Sequence, residues 1–316
     1  MEKGFIVQQK SSAQEIIAVY DNQEKLIDVF VQRARMLNIG EVIEAKILSF
    51  NKTLRGYFVQ TSKNLPAFIP SKEKYNQGES VLIEVIKEAR LGKDATGRFT
   101  SKDIYLPNLM EKVQKKYPFC ISKKSRKLST DIEEALEKKI VLADNAALWI
   151  ERTNALWTID VDSGKSGQPL FELNKQAVEI IYQQIQLKNM SGMILVDFAG
   201  SKSQEEKKSL LKMIKNIFAG DERTKIYDFT KMNLLEIKRG RTSSSLFDLF
   251  YKADGLKKTD YVNLLIKEAL DSLKVGRVVL EIHPAQLSFL EEEVKTNVQI
   301  KTNLNVQPDF FDLKEK

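Results

Sequence analysis

Alternation of apolar and polar positions dominates the first hundred residues. Residues 15–20 (EIIAVY) and 25–31 (KLIDVFV) flank a polar Asp21-Asn22 turn, which predicts a β-hairpin. Five further segments, 41–50, 55–61, 67–70, 80–87 and 98–106, read as short strands, mostly separated by Asn, Gly or Pro. Five strands in roughly 65–70 residues is the size of a small OB-type barrel, a fold whose strand face commonly takes oligonucleotides. Tyr57, Phe58 and Phe68 lie near Arg55, Lys63, Lys87 and Lys93. Aromatics interleaved with cations suit single-stranded nucleic acid, because bases stack on rings while cations track phosphate. The competing reading puts the same rings in the barrel core.

Past Pro107 the period changes. Residues 112–139 read as a connector: between Lys115 and Lys127 lie six cations, Lys115, Lys116, Lys123, Lys124, Arg126 and Lys127, and no acid, and an amphipathic helix follows over 130–139. Residues 146–152 and 155–162 then predict a hairpin around Thr153-Asn154. Along its second strand, Thr158, Asp160 and Asp162 share one face while Ile159 and Val161 take the other. A helix over 172–187, with Leu173, Ala177, Ile180, Ile181 and Ile185 at helical spacing, leads into an apolar strand, 192–198. This β-α-β unit predicts parallel strands. Asp160, Asp162 and Asp197 then stand at carboxyl ends, where open α/β sheets form their sites. Single aspartates at strand ends are often caps or paired surface charges. Here, however, apolar strands lead into carboxylates on neighbouring or nearby strands, joined by a crossover of 37 residues from Asp160 to Asp197, which favours a metal site. Gly164-Lys165-Ser166 imitates the end of a phosphate-binding loop, but the glycine that loop needs five residues earlier is Ile159. The remainder predicts a helix at 261–273 and strands near 277–282 and 298–304, with His283 read as structural.

Composition narrows the chemistry. The 316 residues include one cysteine, Cys120, and one histidine, His283, so neither a four-ligand zinc site nor a disulfide framework fits within one chain. Carboxylates and an oxygen-loving ion such as Mg²⁺ are the remaining tools for hydrolysis. The formal net charge of +7 points to a polyanionic partner. The first ten residues lack the apolar run of a signal peptide, and no stretch reaches the ~20 apolar residues of a membrane span, so the expected location is cytoplasmic.

Several motifs together resemble the bacterial ribonuclease E/G endoribonucleases. TIDVDSGK at 158–165 is similar to that family's T-I-D-V-N-S/T-G-K/R, and LKNMSGMILVDF at 187–198 to L-R-N-L-G-G-I-I-I-I-D-F. LLEIKRGR at 234–241 resembles G-L-V-E-M-T-R-K-R, and residues 78–104, with VIKEAR at 85–90, resemble the end of an S1 domain. The resemblance implies that Asp160 and Asp197 bind a catalytic Mg²⁺. It implies that Asp162, where the family usually has Asn, supports that site. It also implies that Phe58, Phe68 and Lys93 contact single-stranded RNA. Lys165, Lys238, Arg239 and Arg241 are candidate phosphate contacts.

The expected organisation is α/β, or α+β overall. It comprises an N-terminal hairpin segment (1–37), an S1-like OB barrel (38–106), a basic connector and helix (107–139), a DNase I-like catalytic domain with a mixed sheet (140–245) and a small C-terminal α/β domain (246–316). The expected function is Mg²⁺-dependent cleavage of single-stranded RNA in processing or decay. The alternatives are a non-catalytic RNA-binding paralogue and, third, a carboxylate enzyme acting on another phosphate ester. Departures from the family pattern matter too. The C-P-x-C pair that shares zinc between subunits is replaced by TSSSLFD at 242–248, so no zinc is expected; this argues against a zinc-linked tetramer and leaves a homodimer open. The interval that carries the 5′-monophosphate sensor in longer members is short here, predicting no 5′-end sensing. The second acid of D-F-I-D-M is missing after Asp197.

Overall fold

The computed structural model describes residues 4–315, apart from 12, 90–92, 102–106, 123–126, 143–144, 201–202, 253, 274–277, 291–293 and 296–297. The cations Lys123, Lys124 and Arg126, the motif residue Arg90, the end of the strand expected at 98–106 and Arg277 lie outside the described residues. The chain divides into two compact units, residues 1–132 with 247–316, and residues 133–246.

The first unit opens with β1 (Phe5–Lys10), β2 (Gln14–Tyr20) and β3 (Leu26–Arg33), a meander containing the expected hairpin. The barrel follows: β4 (Val42–Asn51), β5 (Gly56–Thr61), β6 (Pro66–Pro70), β7 (Ser80–Lys87) and β8 (Ala95–Phe99), closed in the order β4-β5-β6-β8-β7. Ile43, Ala45, Ile47, Val59, Ala67, Ile69, Ile83, Val85 and Ala95 fill it from alternate positions. β8 sits earlier than expected because Gly97, which reads as a breaker, lies inside the strand: a Cβ there would stand 2.8 Å from the Glu84 carbonyl oxygen.

After the barrel the chain returns to the first sheet. Helix α1 (Leu109–Lys116) begins in the stretch read as a connector; the Asn108 side chain accepts from the Glu111 N–H while Glu111 accepts from the Asn108 N–H, a capping box. Its Leu109 and Val113 pack on Ile6, Ile17 and Val19. Strand β9 (Ile121–Ser122) then pairs parallel to β1, giving the order β3-β2-β1-β9. The segments expected as a separate hairpin and a connector therefore share one sheet, with the barrel inserted between them. Their common core is what makes this so: the apolar face of β1 and β2 needs a cover, and α1 supplies it. Helix α2 (Leu128–Leu136) starts earlier and ends sooner than the sequence suggests, burying Leu128, Ile132 and Ala135.

The second unit is a mixed six-stranded sheet, β10-β11-β12-β13-β15-β14, made of β10 (Lys139–Val141), β11 (Ala147–Arg152), β12 (Leu156–Asp162), β13 (Gly192–Asp197), β14 (Thr224–Phe229) and β15 (Leu234–Arg239). Helix α3 (Leu170–Leu187) crosses between β12 and β13, which run parallel as the β-α-β reading requires, and α4 (Gln204–Ile217) precedes β14. One sheet face, with Ile159, Val161, Ile194, Val196, Leu235 and Ile237, packs with Leu173, Ala177, Ile181 and Ile185 of α3 and Leu210 and Ile214 of α4. Among the described residues no helix of this unit covers the other face, where Val141, Trp149, Met193 and Tyr227 are exposed.

The C-terminal part of the first unit holds α5 (Leu246–Phe250), α6 (Thr259–Ser272), β16 (Val278–Ile282), β17 (Gln299–Thr302) and β18 (Phe311–Glu315), with sheet order β17-β16-β18. The strand β18 was not foreseen. From α6, Glu268 is buried and accepts from Gln9 Nε2 of β1 (2.9 Å) and from the Leu128 and Ser129 N–H groups (2.7 and 3.2 Å), capping α2. His283 Nδ1 accepts from the Ala285 N–H, so the one histidine caps a short 3₁₀ turn.

Candidate active site and RNA-contact surface

The acidic site is built by register. Asp160 of β12 lies directly opposite Asp197 of β13, at the carboxyl ends of two parallel strands about 5 Å apart. Both side chains are exposed on the face away from α3 and α4, because Ile159, Val161 and Val196 alternate with them into the core. What fixes the exit from β13 is buried: Phe198 enters the core, and Asn174 of α3 accepts from the Ala199 N–H (2.9 Å) and donates to its carbonyl (3.0 Å). At the exit from β12, Asp162 accepts from the Gly164 N–H (2.8 Å). Gly164 turns there with φ +54, and a Cβ would stand 2.5 Å from the Asn145 carbonyl oxygen.

Asp162 therefore ties down a turn, and the expected convergence of three carboxylates becomes a pair with a supporting neighbour. Among the described residues no group of three or more His, Cys, Asp or Glu side chains is gathered to hold a metal by itself. Partial burial, then the charges of Asp197 and Asp162, raise the Asp160 carboxyl above its ordinary value. No cation among the described residues pairs with Asp160 or Asp197.

The other candidates divide. Lys165 is exposed in the loop after Asp162. Lys238 shares the open face but stands opposite Met193, at the far end of β13 from Asp197, with Lys225 opposite it on β14. Arg241 follows β15 and is half-buried. Arg239 is corrected: only 1% exposed, it points to the helix-covered side, where Nε donates to Asp221 Oδ2 (2.8 Å), Nη1 to Asn189 Oδ1 and the Met190 carbonyl (both 2.9 Å), and Nη2 to Gln186 Oε1 (3.0 Å). Its guanidinium is consumed by structure and is not a phosphate contact. The segment after β15, where the resembled family has its cysteines, is held by Asn189, whose Nδ2 donates to Ser243 Oγ (2.8 Å) and the Ser244 carbonyl (2.9 Å).

On the barrel, alternation separates the aromatics. Tyr57 is corrected from an RNA contact to core: it is buried, its hydroxyl donates to the Glu73 carbonyl (2.9 Å) and accepts from the Tyr75 N–H (3.1 Å), and its ring packs on Phe50, Tyr75 and Phe99. Phe58 and Phe68 face outward and half-exposed, directly opposite each other on β5 and β6 with ring centroids 5.2 Å apart. Thr96 lies opposite Phe68, and Lys87 opposite Thr96, so two rings and one cation follow a row around the outside; Lys93, also exposed, precedes β8.

Trp149, which the motifs do not include, lies on β11 opposite Asp160 and is 40% exposed. The alternation Leu148, Trp149, Ile150 was sufficient to place it on the face of the acids; a two-residue turn at Thr153-Asn154 would set it opposite Thr158, and the longer loop that pairs Arg152 with Trp157 sets it opposite Asp160. Among the described residues no helix is long and apolar enough to cross a membrane.

Comparison with known proteins yields the following. The model of the Ribonuclease E/G family matches residues 6–242. Ribonuclease G of Escherichia coli (strain K12) is 26% identical over 175 residues, 53% of this chain and 35% of that protein. Ribonuclease G of Haemophilus influenzae is 31% identical over 122 residues, covering 36% and 25%, and ribonuclease E of Synechocystis sp. is 30% identical over 131 residues, covering 39% and 19%. The chain thus aligns with about a third or less of the length of the curated relatives it matches. A solved multidomain protein with nucleic acid binding domains from Streptococcus pneumoniae is 14% identical, covering 43% of this chain and 47% of its own, with a TM-score of 0.18, too low to establish a shared arrangement.

Proposed function

The chain belongs to the ribonuclease E/G family, and on that premise we propose that it is a metal-dependent endoribonuclease that hydrolyses phosphodiester bonds of single-stranded RNA. The observation that carries this reading is the register pair Asp160 and Asp197: two exposed carboxylates side by side, raised in pKa at Asp160 and without a cation partner among the described residues. Like charges held that close are stabilised by a cation between them. The donor set fits Mg²⁺, which is held by one or two carboxylates and completes its shell with water and substrate phosphate oxygens. When bound, such an ion acidifies a water and stabilises charge on the phosphate.

The chain's own residues supply the rest. Asp160 and Asp197 hold the cation at the strand ends; Asp162 keeps the β12 exit turned so that Lys165 stands beside them, within the same loop, as a phosphate contact. On the barrel, Phe58 and Phe68 stack bases while Lys87 and Lys93 follow the backbone. Without the cysteines of its longer relatives the protein works without a zinc link, as a monomer or homodimer, and makes no distinction between 5′ ends.

The test is cleavage of a 5′-labelled, AU-rich single-stranded RNA in Mg²⁺ or EDTA. Wild type is expected to cut only in Mg²⁺; Asp160→Asn and Asp197→Asn are expected to bind the RNA and leave it intact. RNA bound but never cut by wild type would replace this reading with a non-catalytic RNA-binding protein. A large rate preference for 5′-monophosphate over 5′-hydroxyl substrate would overturn the lack of end sensing.

A further inference from the structure

A row of side chains crosses the open sheet face through the acidic pair. Lys139 lies opposite Trp149, Trp149 opposite Asp160, and Asp160 opposite Asp197, on four adjacent strands with all four side chains exposed. With strands about 5 Å apart, the indole is one step from Asp160 and two from Asp197. The chain's other tryptophan, Trp157, is 8% exposed, whereas Trp149 shows 40% of its surface. Trp149 shares this face with exposed Val141, Met193 and Tyr227, and an apolar patch left open is the informative kind of exception. The Lys139 ammonium lies 5.2 Å from the indole centroid, and the opposite edge of the sheet repeats the pairing on the same face, with Lys225 4.9 Å from the Tyr227 ring and Lys238 opposite Lys225. Aromatics carrying cations next to a carboxylate pair match one occupant best: a polyanion with flat, stackable groups.

We propose that Trp149 is the stacking platform for the nucleobase next to the scissile phosphate, and that Lys139 neutralises that nucleotide's backbone. The proposal rests on the endoribonuclease reading of Asp160 and Asp197. A base lying on the indole leaves its ribose-phosphate linkage directed along the row, towards the two carboxylates. Because every base has a π-face, the platform positions RNA without demanding a particular sequence.

Two readouts test it in the full chain. In an Asp160→Asn background, which separates binding from cleavage, a single-stranded oligoribonucleotide is expected to quench tryptophan fluorescence. Adding Trp149→Phe should abolish the quenching although Trp157 remains. In the otherwise unaltered protein, Trp149→Ala is expected to lower kcat/KM about tenfold, chiefly through KM, and Trp149→Phe to recover most of the loss. A substrate abasic beside the scissile bond should erase the difference between Trp and Ala. Absence of quenching, quenching that persists in Trp149→Phe, or equal kcat/KM for Trp149→Ala and wild type overturns the proposal while cleavage by the acidic pair stands. Quenching without any cleavage by wild type overturns the endoribonuclease reading, and with it the placement of this base at a scissile bond.

Discussion

At the scale of single residues, Arg239 shows how a motif and a strand can disagree. The resemblance over 234–241 treats Lys238 and Arg239 alike, but side chains alternate, so one is presented to solvent and the other enters the helix-covered side. The partner that makes such burial tolerable, Asp221, lies just before β14, in a stretch with no strong sequence pattern. Burial alone would raise the Asp221 carboxyl; hydrogen bonds from Arg239, Gln186 and Thr224 and the Arg239 charge reverse this and hold it well below the usual carboxylate range. A carboxylate depressed on folding contributes stability that is fully present above its unfolded value, about pH 3.9, and is lost as pH falls below that. Asp221→Asn removes the carboxylate that neutralises a buried guanidinium, so a loss of about 3–5 kcal/mol in urea unfolding at pH 7 is expected. The variant's stability should also fall less steeply than wild type between pH 5 and pH 2.5. The acidic pair, by contrast, was fully legible: alternation along β12 and a parallel crossover put Asp160 and Asp197 on one face. What sequence could not reveal was that Asp162 is drawn into the turn by the Gly164 N–H.

At the scale of elements, the barrel offers the sharpest contrast, because neighbouring residues on one strand face opposite ways, Tyr57 into the core and Phe58 outward. Phe58→Ala should weaken single-stranded RNA binding by about 1–3 kcal/mol and leave the thermal midpoint nearly unchanged. Tyr57→Ala removes a buried ring and a hydroxyl with two backbone partners, so a stability loss of about 3–5 kcal/mol is expected; filter binding and calorimetry on the two variants distinguish the roles. Four of the five barrel strands were readable because each alternates and most end at Asn, Gly or Pro; the fifth, β8, was misplaced because Gly97 lies inside it. Helix α1 was hidden by its own charge: Lys115 and Lys116 suit the negative end of a helix, yet in sequence they merge with the lysines after Cys120 into one basic run. Strand β9, two residues long, carries no period at all; it exists because β1 offers it an edge.

At the scale of the whole molecule, Glu268 joins segments that no local pattern connects. Its carboxylate meets a side chain of β1 and the first N–H groups of α2 while standing on α6. Glu268→Ala strands those buried donors, and a loss of about 3 kcal/mol is expected in denaturant unfolding, with the transition of residues 133–246 unmoved. The two units, the first holding three sheets with their own cores and the second the six-stranded sheet, should unfold in more than one step by calorimetry. The five consecutive blocks read from the sequence follow chain order; the fold does not, since the barrel interrupts the first sheet and residues 133–246 interrupt the first unit. This nesting sets a timetable for synthesis. On the ribosome the barrel is the earliest closed structure available, and the acidic sheet the next. The meander, made before the barrel, must wait with its edge unpaired until β9 emerges, and it gains the Glu268 contact only after residues 133–246 have been made. The meander is thus made before the barrel yet secured after it.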